Sequence, residues 1–308
     1  MSKRVAVMDL GTNTFHLLIA EGDIHNYSEI VHITEAVKLG EGGINKGYIL
    51  PEAFQRGVNT MQRFHKLIQA NNSAGIRAIA TSALRSASNG KDFIKEVEAK
   101  TGITIEIIDG EQEAGFIYNG VKLSGCLSAK NSLIMDIGGG SVEFVLGNTH
   151  KILWKQSFEV GAARLMDRFH HTDPIPPASI EAMNLYLEDT LHDLFIATAD
   201  IEIDTLIGSS GAFETFAGLI ETEKAKAFDL KSIQYYNFDE EELLTITNKL
   251  ILSTHKERAG NKGIIPVRVD MIVSASLVTR FIMHALGIHK VSMCTNSLKE
   301  GVLAGMLA

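Results

Sequence analysis

The chain has 308 residues, 45% of them hydrophobic and 21% charged, with Lys and Arg numbering 29 against 37 Asp and Glu, for a formal net charge of −8. That length suits two modest cores better than one large one. The acidic balance argues against a wide nucleic-acid surface, which calls for a basic excess, but leaves room for a polyanion held locally by backbone N–H groups and a metal.

Two cysteines, Cys126 and Cys294, stand in no metal-binding spacing, so no disulfide framework is expected and a reducing compartment fits better. The apolar run after Lys3 and Arg4 is interrupted by Asp9, too early for a signal peptide. No stretch reaches the roughly 18 to 20 apolar residues of a membrane span. A soluble, cytoplasmic chain with no membrane role is the expectation.

In chain order, the first informative segment is residues 5–20, VAVMDLGTNTFHLLIA. It is apolar, then tight and glycine-bearing, then apolar again, the pattern of a strand–turn–strand hairpin. Residues 51–70 place Pro51 at a helix start and Phe54, Val58, Met61, Phe64 and Leu67 at helical spacing. Residues 76–80 read as a short buried strand, 91–100 as a charged amphipathic helix, 103–108 as a strand, and 111–123 as a helix opening on Glu111 and Glu113. Strand and helix alternating in this way argue for α/β architecture.

The Gly- and Ser-containing stretch 122–131 is the best boundary between domains. Directly after it, residues 132–147 read SLIMDIGGGSVEFVLG, an echo of residues 5–20. A repeat at domain spacing implies two similar halves, each opening on the same hairpin. Pro174, Pro176 and Pro177 then punctuate a loop before a long helical run near 178–199. Residues 205–208 read as a strand leading through Ser209, Ser210 and Gly211 into a helix, and 298–307 keep helical period despite their glycines.

Tight turns supply backbone N–H groups in the concave arrangement that phosphate requires, and glycine lets the ligand come close. Gly11, Thr12, Asn13 and Thr14 in one hairpin, and Gly138, Gly139, Gly140 and Ser141 in the other, fit that need. Either alone is also simply a hairpin turn; two copies, each behind an aspartate, favour function. Asp9 and Asp136 would repel phosphate unless a cation intervened, which implies Mg²⁺ or another divalent ion, held partly through water. Ser209, Ser210 and Gly211 lead into a third candidate, a helix N-terminus that favours anions.

These elements together resemble the actin-like ATPase superfamily and, within it, the exopolyphosphatase and guanosine pentaphosphate phosphohydrolase family. Both hairpins carry the resemblance, as do residues 80–85, the run 107–117 containing Glu113, the 208–211 turn and residues 298–303. It spans nearly the whole chain. It implies two duplicated actin-like, ribonuclease H-like domains with a cleft between them, residues 1–125 plus 297–308 forming the first and 126–296 the second.

The resemblance also implies roles. Arg85 would contact substrate phosphate, Glu113 would be the base that activates water, and Asp136 with Glu143 would hold the metal. Gln112 and Gly115 depart from the glutamate and arginine common in relatives. Inorganic polyphosphate and guanosine pentaphosphate are the implied substrates, and because similar proteins dimerise, a homodimer is open to this chain. Two other readings share the same motifs: an ATP-dependent kinase or ATPase, and a nucleotide or alarmone sensor without turnover.

Overall fold

Residues 3–24, 26–226 and 228–308 are described by a computed structural model, with Lys231 described in its backbone alone. The chain divides into two compact units: Met1–Gly120 together with Leu298–Ala308, and Val121–Ser297.

The first unit begins with a meander of β1 (Lys3–Leu10), β2 (Thr14–Asp23) and β3 (Asn26–Ala36). Five apolar residues of β2, Phe15 and the run Leu17 to Ala20, are fully buried, as suits a strand in the interior of a sheet. The edge strand β3 instead alternates half-buried with exposed positions. Next come α1 (Pro51–Ala70), β4 (Gly75–Ala80), the short α2 (Ser82–Ser86), α3 (Gly90–Thr101), β5 (Ile105–Ile107) and α4 (Gly110–Leu123). The strands form one sheet in the order β3-β2-β1-β4-β5. Pairing is antiparallel for β1–β2 and β2–β3, and parallel for β1–β4 and β4–β5. Phe15, Phe64 and Phe93 are fully buried in the core on the α1–α3 side.

The second unit repeats this plan with β6 (Ser132–Ile137), β7 (Val142–Gly147), β8 (Ile152–Phe158), α5 (Ala162–Phe169), α6 (Pro177–Thr190), α7 (His192–Thr198), β9 (Thr205–Ser209), α8 (Gly211–Glu223), β10 (Tyr235–Asn237), α9 (Glu240–Leu252), α10 (His255–Gly260), α11 (Ile272–Ala285) and β11 (Val291–Cys294). Every residue of β6 and β7 is buried. Its sheet runs β10-β11-β9-β6-β7-β8. Read from β8, the order β8-β7-β6-β9-β11 reproduces the first sheet strand for strand, with the same two antiparallel and two parallel pairings. The added β10 extends that sheet as an antiparallel edge. The sequence echo is therefore a duplicated fold.

The helical run near 178–199 is two helices. At Leu191 the backbone leaves the helical region (φ −92°, ψ 17°), while its side chain stays fully buried with those of Leu187 and Leu194.

The chain ends in the first unit with α12 (Leu298–Leu307), packed on β1 and β2. A Cβ on Gly301 would stand 1.8 Å from the Phe116 carbonyl oxygen of α4, so the two helices touch backbone to backbone there. Gly301→Ala is expected to force them apart and destabilise the protein by about 1–3 kcal/mol, the usual range for overpacking. A lowered denaturant midpoint with unchanged slope checks this. An unshifted midpoint would show that α12 is not held at that contact.

Candidate active site

The two hairpin turns are built alike. In the first, Asp9 pairs across the strands with His16 and Leu10 with Phe15, and Gly11 N–H donates to the Thr14 carbonyl at 3.1 Å. In the second, Asp136 pairs with Glu143 and Ile137 with Val142, and Gly138 N–H donates to the Ser141 carbonyl at 3.0 Å.

What lies behind each turn fixes where its amides point. The carbonyls of Gly138, Gly139 and Gly140 accept hydrogen bonds from the N–H groups of Ala162, of Ala163 and Arg164, and of Gly161, at 2.9–3.3 Å. In a trans peptide the C=O and N–H point in opposite directions. The N–H groups of Gly139, Gly140 and Ser141 therefore all face away from α5, a run of three donors of the kind that cradles anionic oxygens. The first turn is tied back by different means: the Thr12 carbonyl accepts from Gly40 N–H at 3.0 Å and the Asn13 carbonyl from Lys38 N–H at 2.8 Å. By the same planarity, the amides of Asn13 and Thr14 point the other way.

Close contact between α5 and the second turn requires Gly161. A Cβ there would meet backbone atoms of Gly139 and Gly140 at 2.4–2.5 Å, and backbone cannot rotate aside as a side chain can. Gly161→Ala is expected to cost about 1–3 kcal/mol through overpacking and to raise the dissociation constant for a phosphate oligomer by pushing the turn out of shape. Calorimetric titration alongside a denaturation curve separates the two effects. Wild-type affinity in a folded variant would remove the turn from ligand binding.

Asp136 and Glu143 occupy facing positions on adjacent strands, so their side chains emerge on the same side of the sheet. Both are buried, at 7% and 1% exposure. Asp136 accepts from Ser209 Oγ at 3.0 Å, and Glu143 from Ser157 Oγ at 2.7 Å. Two like charges directly opposite in a sheet repel, and burial strengthens the repulsion by lowering the local dielectric. Among the described residues no group of three or more His, Cys, Asp or Glu comes together to hold a metal ion. Two hard oxygen ligands nevertheless fit Mg²⁺, which commonly binds one or two carboxylates and completes its shell with water and substrate phosphate.

His16 holds the position in the first unit that Glu143 holds in the second. Its ring nitrogens are engaged by the hydroxyls of Thr14 at 3.0 Å and Thr34 at 2.9 Å. The duplicated turns thus differ chemically: one offers an aspartate beside a tethered imidazole, the other a pair of carboxylates.

Arg85 and Glu113, both in the first unit, meet. Arg85 lies on the single turn of α2, just past the end of β4, and its Nη1 donates to Glu113 Oε2 at 2.9 Å and to the Ile108 carbonyl at 3.1 Å. Glu113 is buried at 6% exposure, whereas Glu111 on the same helix start is exposed. Gln112 closes a reciprocal cap: its N–H donates to Asp109 Oδ1 at 2.8 Å, and its side-chain carbonyl accepts from Asp109 N–H at 3.0 Å. That exchange satisfies two amides that a helix start would otherwise leave unpaired. Gln112 therefore anchors the turn from which Glu113 projects.

The third sequence element supports the second hairpin. Ser209, fully buried, directs its hydroxyl to Asp136 and, at 3.3 Å, to the Asn296 carbonyl. Ser210 adopts φ 71°, ψ 179°, unusual for a residue with a side chain, and donates to the Ile137 carbonyl at 3.2 Å. Gly211 lies beneath Arg268, whose guanidinium would be 1.9 Å from any added Cβ. Arg268 in turn donates to Glu214 at 2.8 Å and to Thr215 Oγ1 at 3.0 Å.

Two arginines beside these turns escape the sequence reading. Arg268 is one. The other is Arg164, whose Nε donates to the Gly140 carbonyl at 2.8 Å and whose Nη2 donates to Glu159 at 2.5 Å. Within the sequence, Arg164 stands on the polar side of a short amphipathic segment, and only the contact with the turn gives it a part.

A duplicated α/β fold with amide-lined hairpin turns, paired carboxylates and an arginine–glutamate couple defines a phosphate-handling enzyme. The Ppx/GppA phosphatase family model matches residues 18–308, and the chain belongs to that family. It is 27% identical to exopolyphosphatase 2 of Mycobacterium tuberculosis, over 97% of each chain. An exopolyphosphatase crystal structure from Cytophaga hutchinsonii is similar at 38% identity and a TM-score of 0.95, covering 99% of this chain and 98% of that one. The PPX-GPPA enzyme of Aquifex aeolicus shares the fold, with a TM-score of 0.81 over 99% of this chain.

Proposed function

We propose that the protein hydrolyses the terminal phosphoanhydride bond of inorganic polyphosphate, releasing orthophosphate. The couple of half-buried Arg85 and buried Glu113 carries this reading, because it joins a carboxylate able to take a proton from water to a guanidinium able to grip phosphate oxygens. The kinship with exopolyphosphatases supports the choice of substrate.

The N–H groups of Gly139, Gly140 and Ser141 in the second unit suit phosphate oxygens, and so, taken by itself, does the Gly11–Thr14 turn of the first. Arg85 shifts from its contact with Glu113 onto an equatorial phosphoryl oxygen, where charge builds as the bond breaks. That shift releases Glu113 to accept a proton from a water lined up opposite the leaving oxygen. Asp136 and Glu143 are the residues that would hold Mg²⁺, with the Ser209 hydroxyl orienting Asp136. Such an ion would supply positive charge to offset that of phosphate oxygens.

Guanosine pentaphosphate ends in the same kind of bond. Phosphate release from polyphosphate and from guanosine pentaphosphate, measured side by side with Mg²⁺, tests the proposal. Faster release from polyphosphate is the expected result; release from guanosine pentaphosphate alone would reassign the substrate, and release from neither would end the hydrolytic reading.

A further inference from the structure

Cys126 and Cys294 are the two cysteines of the sequence. The chain enters the second unit shortly before Cys126 and leaves it shortly after Cys294. Folding brings these two ends together. Cys294 Sγ donates to Ser124 Oγ at 3.1 Å, a pair 170 positions apart, and the same oxygen accepts from Cys126 N–H at 3.2 Å. Cys126 Sγ reaches the Gln234 carbonyl at 4.0 Å, and the next residue, Tyr235, pairs with Cys294 across β10 and β11. The Ser124 hydroxyl therefore bridges the Cys294 thiol and the Cys126 backbone amide. Both are free thiols, with Cys294 buried and Cys126 half-buried.

We propose that Cys126 and Cys294 form a reversible oxidation site, closed to an intramolecular disulfide by hydrogen peroxide. The thiolate is the reacting species. Contact with Cys294 holds the Cys126 thiol below its ordinary range, and the same contact together with burial pushes Cys294 up. Cys126 is therefore both the more acidic and the more accessible of the two.

Its thiolate attacks one peroxide oxygen, the O–O bond breaks, and hydroxide leaves, giving a sulfenic acid at Cys126. Cys294 sulfur then attacks that sulfur, the S–O bond breaks, and the thiol proton leaves with the hydroxyl as water. Each sulfur gives up one electron, and the two peroxide oxygens take both, ending as two waters. The new bond joins the beginning of the second unit to its end and encloses nearly all of it in one covalent loop. Long loops restrict the unfolded chain most.

The test treats the full chain with hydrogen peroxide and then denatures it. Titratable thiols are expected to fall from two to none, the intact mass to drop by two hydrogens, and a digest without reductant to contain a peptide linking Cys126 to Cys294. Dithiothreitol should reverse all three changes, and the oxidised protein should melt at a higher temperature. Cys126→Ser should keep one thiol and form no internal link. Oxygen added to Cys126 while Cys294 stays reduced would overturn the proposal. So would disulfide-linked dimers on a non-reducing gel, or two thiols still intact under peroxide that oxidises a small free thiol. The mass measurement on the unsubstituted protein decides the matter even where the variant fails to fold.

Discussion

Glu113→Gln is expected to lower phosphate release from polyphosphate by about 10²–10⁴-fold, the usual contribution of a positioned general base, while KM changes little. Glutamine preserves the size of the side chain, and its carbonyl oxygen can still accept from Arg85, so the local packing survives. What disappears is the capacity to take a proton from water. The loss therefore falls on kcat rather than on binding. Glu111→Gln is the matched control, because Glu111 is exposed at the same helix start and has no part in the proposed chemistry. Its kinetics should match those of the unsubstituted enzyme. Rapid turnover by Glu113→Gln, or equal losses in both variants, would take the base role away from Glu113 and reduce α4 to a structural helix.

The separation of Glu113 from Glu111 shows what the sequence reveals and where it stops. Both stand at a helix start, where the helix dipole favours any carboxylate. Burial of one and exposure of the other depend on the cap made by Asp109 and Gln112 and on Arg85 arriving from β4, none of which leaves a periodic trace. The hairpins were far more legible. Their apolar–glycine–apolar pattern specifies strand, turn and partner locally, and the pairing of Asp136 with Glu143 follows from counting residues across the turn. The ties behind the turns were not legible: α5 holds one and residues 38–40 hold the other, through backbone groups that any sequence possesses. Arg164, Arg268 and the meeting of Cys126 with Cys294 share this character. Each joins segments far apart in the chain, and its residues look ordinary until the sheet order brings them together.

The carboxylate pair leads to the second large effect, and its signs are opposite with and without metal. In the metal-free protein Asp136 and Glu143 repel each other on facing strands, so Glu143→Gln should stabilise the apo form by about 0.2–1 kcal/mol, the scale of a cross-strand pair. The amide oxygen of the new side chain can still accept from Ser157, so no buried hydroxyl loses its partner. With Mg²⁺ the order is expected to reverse. Saturating ion at about 100 times its dissociation constant adds roughly 2.7 kcal/mol to a protein that binds it only when folded, and the variant, short of one ligand, should gain much less. Hydrolysis should fall by at least about 100-fold, since an ion clamped on phosphoryl oxygens contributes several kcal/mol to the transition state. Melting curves with EDTA and with Mg²⁺, for both proteins, separate these terms without reference to turnover. If Mg²⁺ shifts both proteins equally, the ion binds elsewhere. If the apo variant is instead less stable than the unsubstituted protein, the two carboxylates do not repel, and a proton shared between them becomes the better account of how they lie side by side in a buried sheet.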